Sequence, residues 1–462
     1  MKSSVQLSAG QEEVLRLFQQ NKNVFMTGPG GSGKSTLVKE MYSMAMANNR
    51  KIQVTALTGC AAVLLGCRAR TIHSFAGIGL GTGTIQENLD KIMRNTKKVR
   101  TWRTLDILII DEVSMMSKKL LEMLDAVARR CRSCPDKPFG GLQIIFSGDF
   151  YQIRPIGNVG EPDTTAFCFE SPIWEELFPR AHHVILEKIF RQSDPKYANI
   201  LNRIRDGSID ESTIEEMIAH SRRTLPENSL FRPTKLFATR KQVEDVNRLE
   251  LEKLPAEREQ TYAIKEHLDL PITQKDAEKN ASFTDQEKKN ELQYLSRNLM
   301  CDANLRLRPG CQVMCIVNKD VELASGQKRF LCNGSQGVVV DFLSNGYPVV
   351  RFNKMEEDIV MEPHVWQSEV IPGLGLSQIP LLLAWALTIH KAQGSSMESA
   401  EIDVGSSIFE CGQTYVALSR IKSMEGLYLK SFDPQSIYIN PRVREFYQQL
   451  LDEKQVVKKS RT

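Results

Sequence analysis

Residues 28–35 read GPGGSGKS, and no other stretch of the chain narrows its fold so far. The octet fits G-x-x-x-x-G-K-[ST]. It follows the apolar run NVFMTG (23–28) and leads into the helical pattern LVKEMYSMAMA, the strand–turn–helix context the motif requires. Glycines let the backbone turn tightly and aim its N–H groups inward at phosphate oxygens. The helix N-terminus adds partial positive charge at the same point. The expected nucleotide-binding set is Gly28, Pro29, Gly30, Gly31, Ser32, Gly33, Lys34, Ser35 and Thr36, with Lys34 reaching the β- and γ-phosphates and Ser35 ligating Mg²⁺.

Further short apolar runs, IQVTALTG (52–59), LDILII (105–110) and LQIIFSG (142–148), alternate with helical patterns such as KLLEMLDAVARRC. That alternation implies an α/β fold, a parallel sheet with helices on both faces. ILIIDE (107–112) reads as a buried strand that delivers Asp111, suited to hold Mg²⁺, and Glu112, suited to orient or deprotonate an attacking water. A DE pair alone is common and usually solvated; its place after a buried strand gives it meaning. The strand ending in SGDFYQIRP (147–155) sets Gln152 one turn beyond Asp149, where an amide can bond the γ-phosphate and the water together.

The chain has 462 residues, too many for one ordinary core. Its 41% hydrophobic and 25% charged content excludes disorder over most of the length. The longest strongly apolar run, 379–389, contains a proline and falls short of the about 20 residues a bilayer span needs. The N-terminus MKSSVQLSAGQEE has neither an apolar signal core nor the character of a transit peptide, so an intracellular protein is expected: nuclear in a eukaryote, otherwise at a nucleoid or a viral replication site. Sixty Lys and Arg against 56 Asp and Glu leave a net charge of +4, which does not announce a nucleic-acid binder but permits a local basic channel. Ten cysteines are too sparse for a disulfide scaffold. Cys131 and Cys134 form C-x-x-C, yet a structural zinc needs four ligands, so ordinary reduced thiols are expected.

The interval 76–103 breaks the strand–helix rhythm, first Gly-rich and then basic (KKVRTWR), and reads as an insertion. LFATRKQVEDVN (236–247) is another strand–helix unit, and 251–300 is polar enough for surface helices and loops. Strands such as QVMCIV, GVVVDF and PVVRF, separated by NGS and SNGYP turns, make 305–370 a β-rich module, and 379–430 returns to α/β patterning.

Taken in order, these segments resemble the Pif-type (petite integration frequency) DNA helicases of superfamily 1 over nearly the whole chain. The matching stretches are LSAGQ (7–11), GPGGSGKST, TALTGCAA (55–62), TIHSFAGIGLG (71–81), IIDEVSMM, PFGGLQIIFSGDFYQIRP (138–155), IFRQ (189–192), PGCQVMCIVN with NGSQGVVV, LAWALTIHKAQGSSME (383–398) and TYVALSRIKSMEGLYL (414–429). The resemblance implies two RecA-like P-loop motor domains. The first would span 1–185 with a wedge insertion at about 76–103. The second would span 186–304 and 371–440, with a small β-barrel inserted at 305–370, and a C-terminal helix and basic tail would fill 441–462.

It also implies an ATP-dependent helicase moving 5′ to 3′ on single-stranded DNA and opening forked or structured duplexes in replication, repair, recombination or telomere maintenance. ATP and Mg²⁺ are the implied cofactors, with action as a monomer or a dimer on DNA, and single-strand-binding or replication proteins as partners. Gln11 would read adenine, and Arg191 and Arg420 would reach the γ-phosphate from the second motor. Thr58, His73 and Ser74 in the first motor, and His390, Lys391, Gln393, Ser395, Gln413, Thr414, Tyr415 and Ser419 in the second half, would follow the DNA strand. Phe75, Phe150 and Trp385 are candidates for base stacking, although aromatics among apolar neighbours are more often core. Arg154 departs from the family's paired prolines and either adds a phosphate contact or faces solvent. The alternatives are a translocase with little unwinding and a nucleotide-switched binding protein.

Overall fold

A computed structural model describes residues 7–459 except 80, 82, 158–160, 225–230, 323–327, 354, 356, 369, 390, 393–394, 406–407 and 409. The chain forms two compact units: Met1–Ile209 with Glu410–Val416 and Ile437–Thr462, and Asp210–Phe409 with Ala417–Ser436.

The first unit is built on six parallel strands: β1 (Val24–Thr27), β2 (Ile52–Ala56), β3 (Arg70–Thr71), β4 (Ile107–Asp111), β5 (Gln143–Gly148) and β6 (His183–Ile185). Their spatial order is β3-β2-β4-β5-β1-β6, and every pairing is parallel. Period-two alternation sorts the side chains between two cores. Leu108 and Ile110 of β4 join Phe25 and Phe146 on one face, while Ile107 and Ile109 join Val24, Met26 and Ile145 on the other. The helices are α1 (Ala9–Gln19), α2 (Lys34–Ala47), α3 (Gly59–Leu65), α4 (Ile72–Ala76), α5 (Ile85–Met93), α6 (Thr96–Thr104), α7 (Lys118–Arg132), α8 (Ile173–Leu177) and α9 (Pro195–Asp206). Helices α5 and α6 occupy the interval expected to be an insertion, and Trp102 of α6 is buried against Phe75 with ring centroids 4.8 Å apart.

The expected division at 185/186 falls elsewhere. The first unit runs on through α9 to Ile209 and takes in the C-terminal helix Pro441–Lys459, whose Val443, Tyr447 and Leu450 are buried in the core that holds Phe25 and Phe146. That helix was expected as a separate tail. Its apolar stripe meets partners some 300 positions upstream, so no local pattern reveals the packing.

The second unit has a four-stranded parallel sheet, ordered Ala386–Thr388, Thr234–Phe237, Ala400–Val404, Leu427–Phe432. Joined to it in the chain are antiparallel strands, among them Gln312–Cys315, Gln336–Phe342, Pro348–Phe352 and Leu381–Leu383 in one five-stranded sheet. Antiparallel pairing extends beyond the expected 305–370 limits. Gln260–Ala263 and Lys265–His267 are strands, not surface helix, and Leu381–Leu383 pairs with Gln312–Cys315, not with the parallel sheet. Helices Gln274–Ala281 and Asp285–Asn298 fill the rest of the polar stretch. Among the described residues no helix is long and apolar enough to cross a membrane.

Candidate active site

Because all six strands of the first sheet are parallel, their carboxyl ends share one edge, the edge where open α/β sheets bind ligands. The loop after β1 turns through Gly28, Gly31 and Gly33 with φ of 152°, 85° and 87°. Gly31 allows a close approach as well: a Cβ there would collide with the Cβ of Arg191, and the Phe190 N–H donates to the Gly31 carbonyl at 2.8 Å. The Lys34 ammonium folds back over the loop, donating to the carbonyls of Gly28 (2.6 Å) and Pro29 (3.1 Å), with Ser32 Oγ at 3.5 Å. Burial pushes its pKa down, against the pull of Asp149, Glu112 and Asp111. Ser35 and Thr36 are exposed on the first turn of α2.

Gln11 closes the loop from the other side. Its Oε1 accepts from Ser8 N–H (2.9 Å) in a capping box, and its Nε2 donates to the Ser32 carbonyl at 3.4 Å.

Asp111 ends β4 as a buried carboxyl whose pKa is raised by burial. Glu112 follows at φ 57°, ψ 38°, a left-handed conformation that costs a non-glycine residue about 1–2 kcal/mol. At β5, Asp149 is fully buried and gripped by Arg205 of α9 in a fork, Nε–Oδ2 2.8 Å and Nη2–Oδ1 2.7 Å. Gln152 is held to the same carboxylate: its Nε2 donates to Oδ2 at 3.4 Å and its N–H to the Asp149 carbonyl at 2.9 Å. The ends of β1, β5 and β4, adjacent in the sheet, thus bring together Lys34, Asp149 with Gln152, and Asp111 with Glu112.

Arg191 was expected to reach in from the second motor. It belongs instead to the first unit, packed on the loop at Gly31. Burial lowers its pKa, opposed by Tyr415 and Glu112. The chain after β6 runs beside β1, with Leu186 N–H donating to the Thr27 carbonyl at 2.7 Å, and so carries IFRQ onto the loop of its own unit.

Tyr415, expected on the DNA strand, is likewise placed here: its hydroxyl accepts from Gly30 N–H at 2.7 Å. Gln413 and Thr414 are buried in the same unit. Tyr447 of the C-terminal helix was not singled out from the sequence. Its hydroxyl lies 2.5 Å from Thr27 Oγ1 at the end of β1, accepts from Phe150 N–H (3.1 Å) and lies 3.4 Å from Asp149 Oδ1. Its ring stacks on Tyr151 at 4.5 Å, and the Arg205 guanidinium lies over both rings. Arg154 pairs with Glu410 at 2.6 Å and its side chain stays partly exposed.

The DNA candidates of the first unit stand on the same sheet edge, after β2 and β3. Thr58 caps α3, its hydroxyl accepting from Ala61 N–H, and Ser74 N–H donates to Thr71 Oγ1 while the Ser74 carbonyl accepts from Lys98 Nζ at 2.6 Å. Burial lowers the pKa of His73. In the second unit Lys391 is half-buried after Ala386–Thr388, Ser395 donates to the Ala392 carbonyl at 2.7 Å, and Ser419 accepts from Arg420 Nη2 at 2.8 Å. His390 and Gln393 lie outside the described residues. Phe75 and Phe150 are core residues of the first unit, and Trp385 is buried in the second, so none of the three is open for stacking.

The donor set fits a magnesium ion. Asp111 is a carboxyl that burial disfavours as an anion and a cation would hold ionised. Beside it across the sheet is the buried Ser147 hydroxyl, which lowers the Asp111 pKa against the effect of burial, and Ser35 offers an exposed hydroxyl at the helix start.

A glycine loop between a parallel strand and a helix, its lysine and an acidic pair two strands away define a P-loop nucleotide-binding domain. The family is settled by comparison: a model of the PIF1-like helicases matches residues 6–215, and the chain belongs to that family. The chain is 32% identical to the ATP-dependent DNA helicase RRM3 of Saccharomyces cerevisiae over 97% of its own length and 68% of that protein. It spans about two thirds of the length of several such curated helicases. Among solved structures, Pif1 helicase from Candida albicans aligns with TM-score 0.71 and 34% identity, covering 96% of this chain and all of that one. A Bacteroides Pif1 helicase in complex with ADP-AlF3 and ssDNA aligns with TM-score 0.64 and 28% identity, covering 97% and 98%.

Proposed function

We propose that this protein is an ATP-driven DNA helicase that moves 5′ to 3′ on single-stranded DNA and opens forked or structured duplexes. The observation that carries it is the convergence of Lys34, Asp111, Glu112, Asp149 and Gln152 on one sheet edge, in a chain of a family whose members are DNA helicases. The parallel sheets of the two units are read as RecA-like motors, α5 and α6 as the wedge, and the antiparallel strands of the second unit as the inserted barrel. Forked DNA, replication proteins and pairing of two copies on DNA belong to the same reading, as does action inside the cell.

In this mechanism the loop N–H groups and Lys34 hold the β- and γ-phosphates, and Gln11 reads the base. Glu112, projected by its left-handed backbone, orients and deprotonates the attacking water. Gln152, fixed by Asp149, bonds the γ-phosphate and that water, so it registers when the bond between them changes. Asp111 and Ser35 would hold Mg²⁺, which when bound neutralises charge on the phosphate oxygens. Arg191 acts from the P-loop's own unit, its planar fork suited to γ-phosphate oxygens, and Arg420 is the arginine finger of the second motor. Thr58, His73, Ser74, Lys391 and Ser395 follow the DNA backbone, a contact that reads no sequence.

Phosphate release from ATP with and without oligo-dT tests the reading. We expect strong stimulation by DNA, and Glu112→Gln still binding ATP but hydrolysing it about 10²–10⁴-fold more slowly. A parent protein indifferent to DNA would favour the binding-only alternative, and a Glu112→Gln protein at the parent rate would remove Glu112 as base.

A further inference from the structure

The first unit has a second concavity, on the edge of its sheet opposite the phosphate loop. A cavity of about 650 Å³ lies there, at the amino ends of β1, β4 and β5 and just before β6. Lys22, Arg50, Arg132, Lys137 and His182 line it, and Leu142, Leu177 and Pro179 give it an apolar wall.

Its cations are not neutralised by carboxylates. The Lys22 and Lys137 ammoniums have no hydrogen-bond or ion-pair partner among the described residues. Arg50 donates to the neutral Asn21 Oδ1 at 2.6 Å. Arg132 donates to the carbonyls of Gly140 (2.8 Å), Trp102 (2.9 Å) and Leu105 (2.7 Å), which fix its guanidinium without cancelling its charge. The acids of the lining are engaged elsewhere: Asp106 Oδ2 accepts from Lys51 N–H at 2.8 Å, and Glu176 lies 3.6 Å from Arg129.

Gln143 lines the same cavity and is 5% exposed. Its Nε2 donates to the carbonyls of Phe18 (2.9 Å) and Lys22 (3.0 Å), so both amide hydrogens are used and the orientation of the amide is fixed. Its Oε1 is left enclosed with no donor among the described residues, and His182 Nδ1 is enclosed without a partner as well. Burial and Lys22 hold the pKa of His182 down, so it presents a neutral imidazole. Cations at the carboxyl ends of α1, α2 and α7 also complement the helix dipoles, which accounts for part of the charge. It does not account for a buried acceptor left unpaired in a cavity wall, since such groups are costly to keep.

We propose that this cavity binds a small phosphate ester that also carries O–H or N–H donors, as a nucleoside monophosphate or a sugar phosphate does. Lysine ammoniums and arginine forks suit phosphate oxygens. Gln143 Oε1 requires a donor, which a bare phosphate dianion or a carboxylate does not carry. The volume falls within the about 300–1,000 Å³ of small-molecule sites, whereas a nucleic-acid strand needs a continuous track. The site lies across the sheet from the phosphate loop, and the inference does not depend on the helicase reading.

The test is calorimetric titration of ribose 5-phosphate and of AMP into the parent, Lys34→Ala and Lys22→Gln/Lys137→Gln proteins. Ribose 5-phosphate should bind the parent and Lys34→Ala alike, and the double variant about 10²-fold more weakly through the loss of two charge-assisted contacts. Lys22 and Lys137 have no part in the nucleotide site, so DNA-free ATP hydrolysis and the thermal melt of the double variant should match the parent. AMP binding tighter than ribose 5-phosphate, and weakened by the same two substitutions, would identify a nucleotide ligand; equal affinities would identify a sugar phosphate. Failure of both esters to bind the parent, or equal binding to the double variant, would overturn the proposal. Loss of binding in Lys34→Ala would overturn it too, by returning the ligand to the phosphate loop. Displacement of ribose 5-phosphate by oligo-dT at matched phosphate concentration would overturn the small-ligand reading and assign the cavity to a nucleic-acid backbone.

Discussion

The first unit uses charge in two opposite ways. Around the phosphate loop, Lys34, Asp111, Asp149, Arg205 and Arg191 are enclosed, and burial shifts Lys34, Asp111 and Arg191 toward neutrality while neighbours of opposite sign hold them charged. On α6 Lys97 and Arg100 stand exposed to solvent, on a helix whose other face is locked by Trp102. Enclosed charges sit in low dielectric at fixed distances, so they do chemistry and resist salt. Exposed ones are screened over about 10 Å at ordinary ionic strength and suit a partner that brings its own counterions. Two parts of one unit therefore answer differently to salt: the nucleotide site through its geometry, the helical hairpin through its surroundings.

The largest break comes at the enclosed end. Lys34→Ala should abolish ATP turnover, a loss of more than about 10³-fold, because the β- and γ-phosphates lose their point charge. The melt should stay near the parent's, since burial already disfavours the Lys34 cation, and Asp111, which loses that partner, can take up a proton instead of standing as an unpaired anion. A circular-dichroism melt beside the phosphate-release assay checks both.

A smaller break sharpens the enclosed network. Tyr447→Phe keeps the ring stacked on Tyr151 and removes only the hydroxyl shared by Thr27, Phe150 N–H and Asp149. Losing those bonds costs about 1–2 kcal/mol, so we expect turnover to fall about five- to thirtyfold with the KM for ATP little changed. If the hydroxyl acts through the Asp149–Gln152 turn, adding Tyr447→Phe to Gln152→Ala should cost nothing further; full additivity would show that it acts elsewhere.

The smallest expected effect lies in the aromatic core behind the sheet. His183 packs edge-on against Phe25 at 5.7 Å, and burial pushes its pKa from 6.5 down to about 4. Unfolded chains bind that proton more readily, so the neutral imidazole's contribution is complete above about pH 6.5 and is lost as pH falls from there toward 4. The loss is at most about 3 kcal/mol. Melting curves between neutral and mildly acidic pH should show it, and His183→Phe should flatten the difference.

What the sequence made legible follows from the range of the forces involved. Strands β1, β2, β4 and β5 and the phosphate loop were readable because their signals are local: an apolar run, a glycine turn, a helix start. Asp111, Glu112 and Gln152 were readable as strand-end residues. Arg191 was read into the wrong unit because nothing in IFRQ says that β6 lies beside β1. Tyr415 and Tyr447 act on the phosphate loop and on the end of β1 from more than 380 residues downstream, through single hydroxyls, and a tyrosine in a helical pattern gives no sign of that. Strands 260–267 were hidden by polarity, since Gln260–Ala263 is paired on a half-exposed surface. Phe75 and Phe150 illustrate the opposite error, in which an aromatic beside a functional motif is simply core.

The central claim is directional, ATP-driven strand separation. Matched duplexes carrying either a 5′ or a 3′ single-stranded tail, incubated with the protein, ATP and Mg²⁺, test it most directly, with Lys34→Ala as the motor-dead control. The account predicts that the 5′-tailed duplex is opened, the 3′-tailed duplex is left intact, and the Lys34→Ala protein opens neither. Opening of the 3′-tailed duplex in preference, or intact duplexes on both substrates while DNA still stimulates ATP hydrolysis, would contradict it.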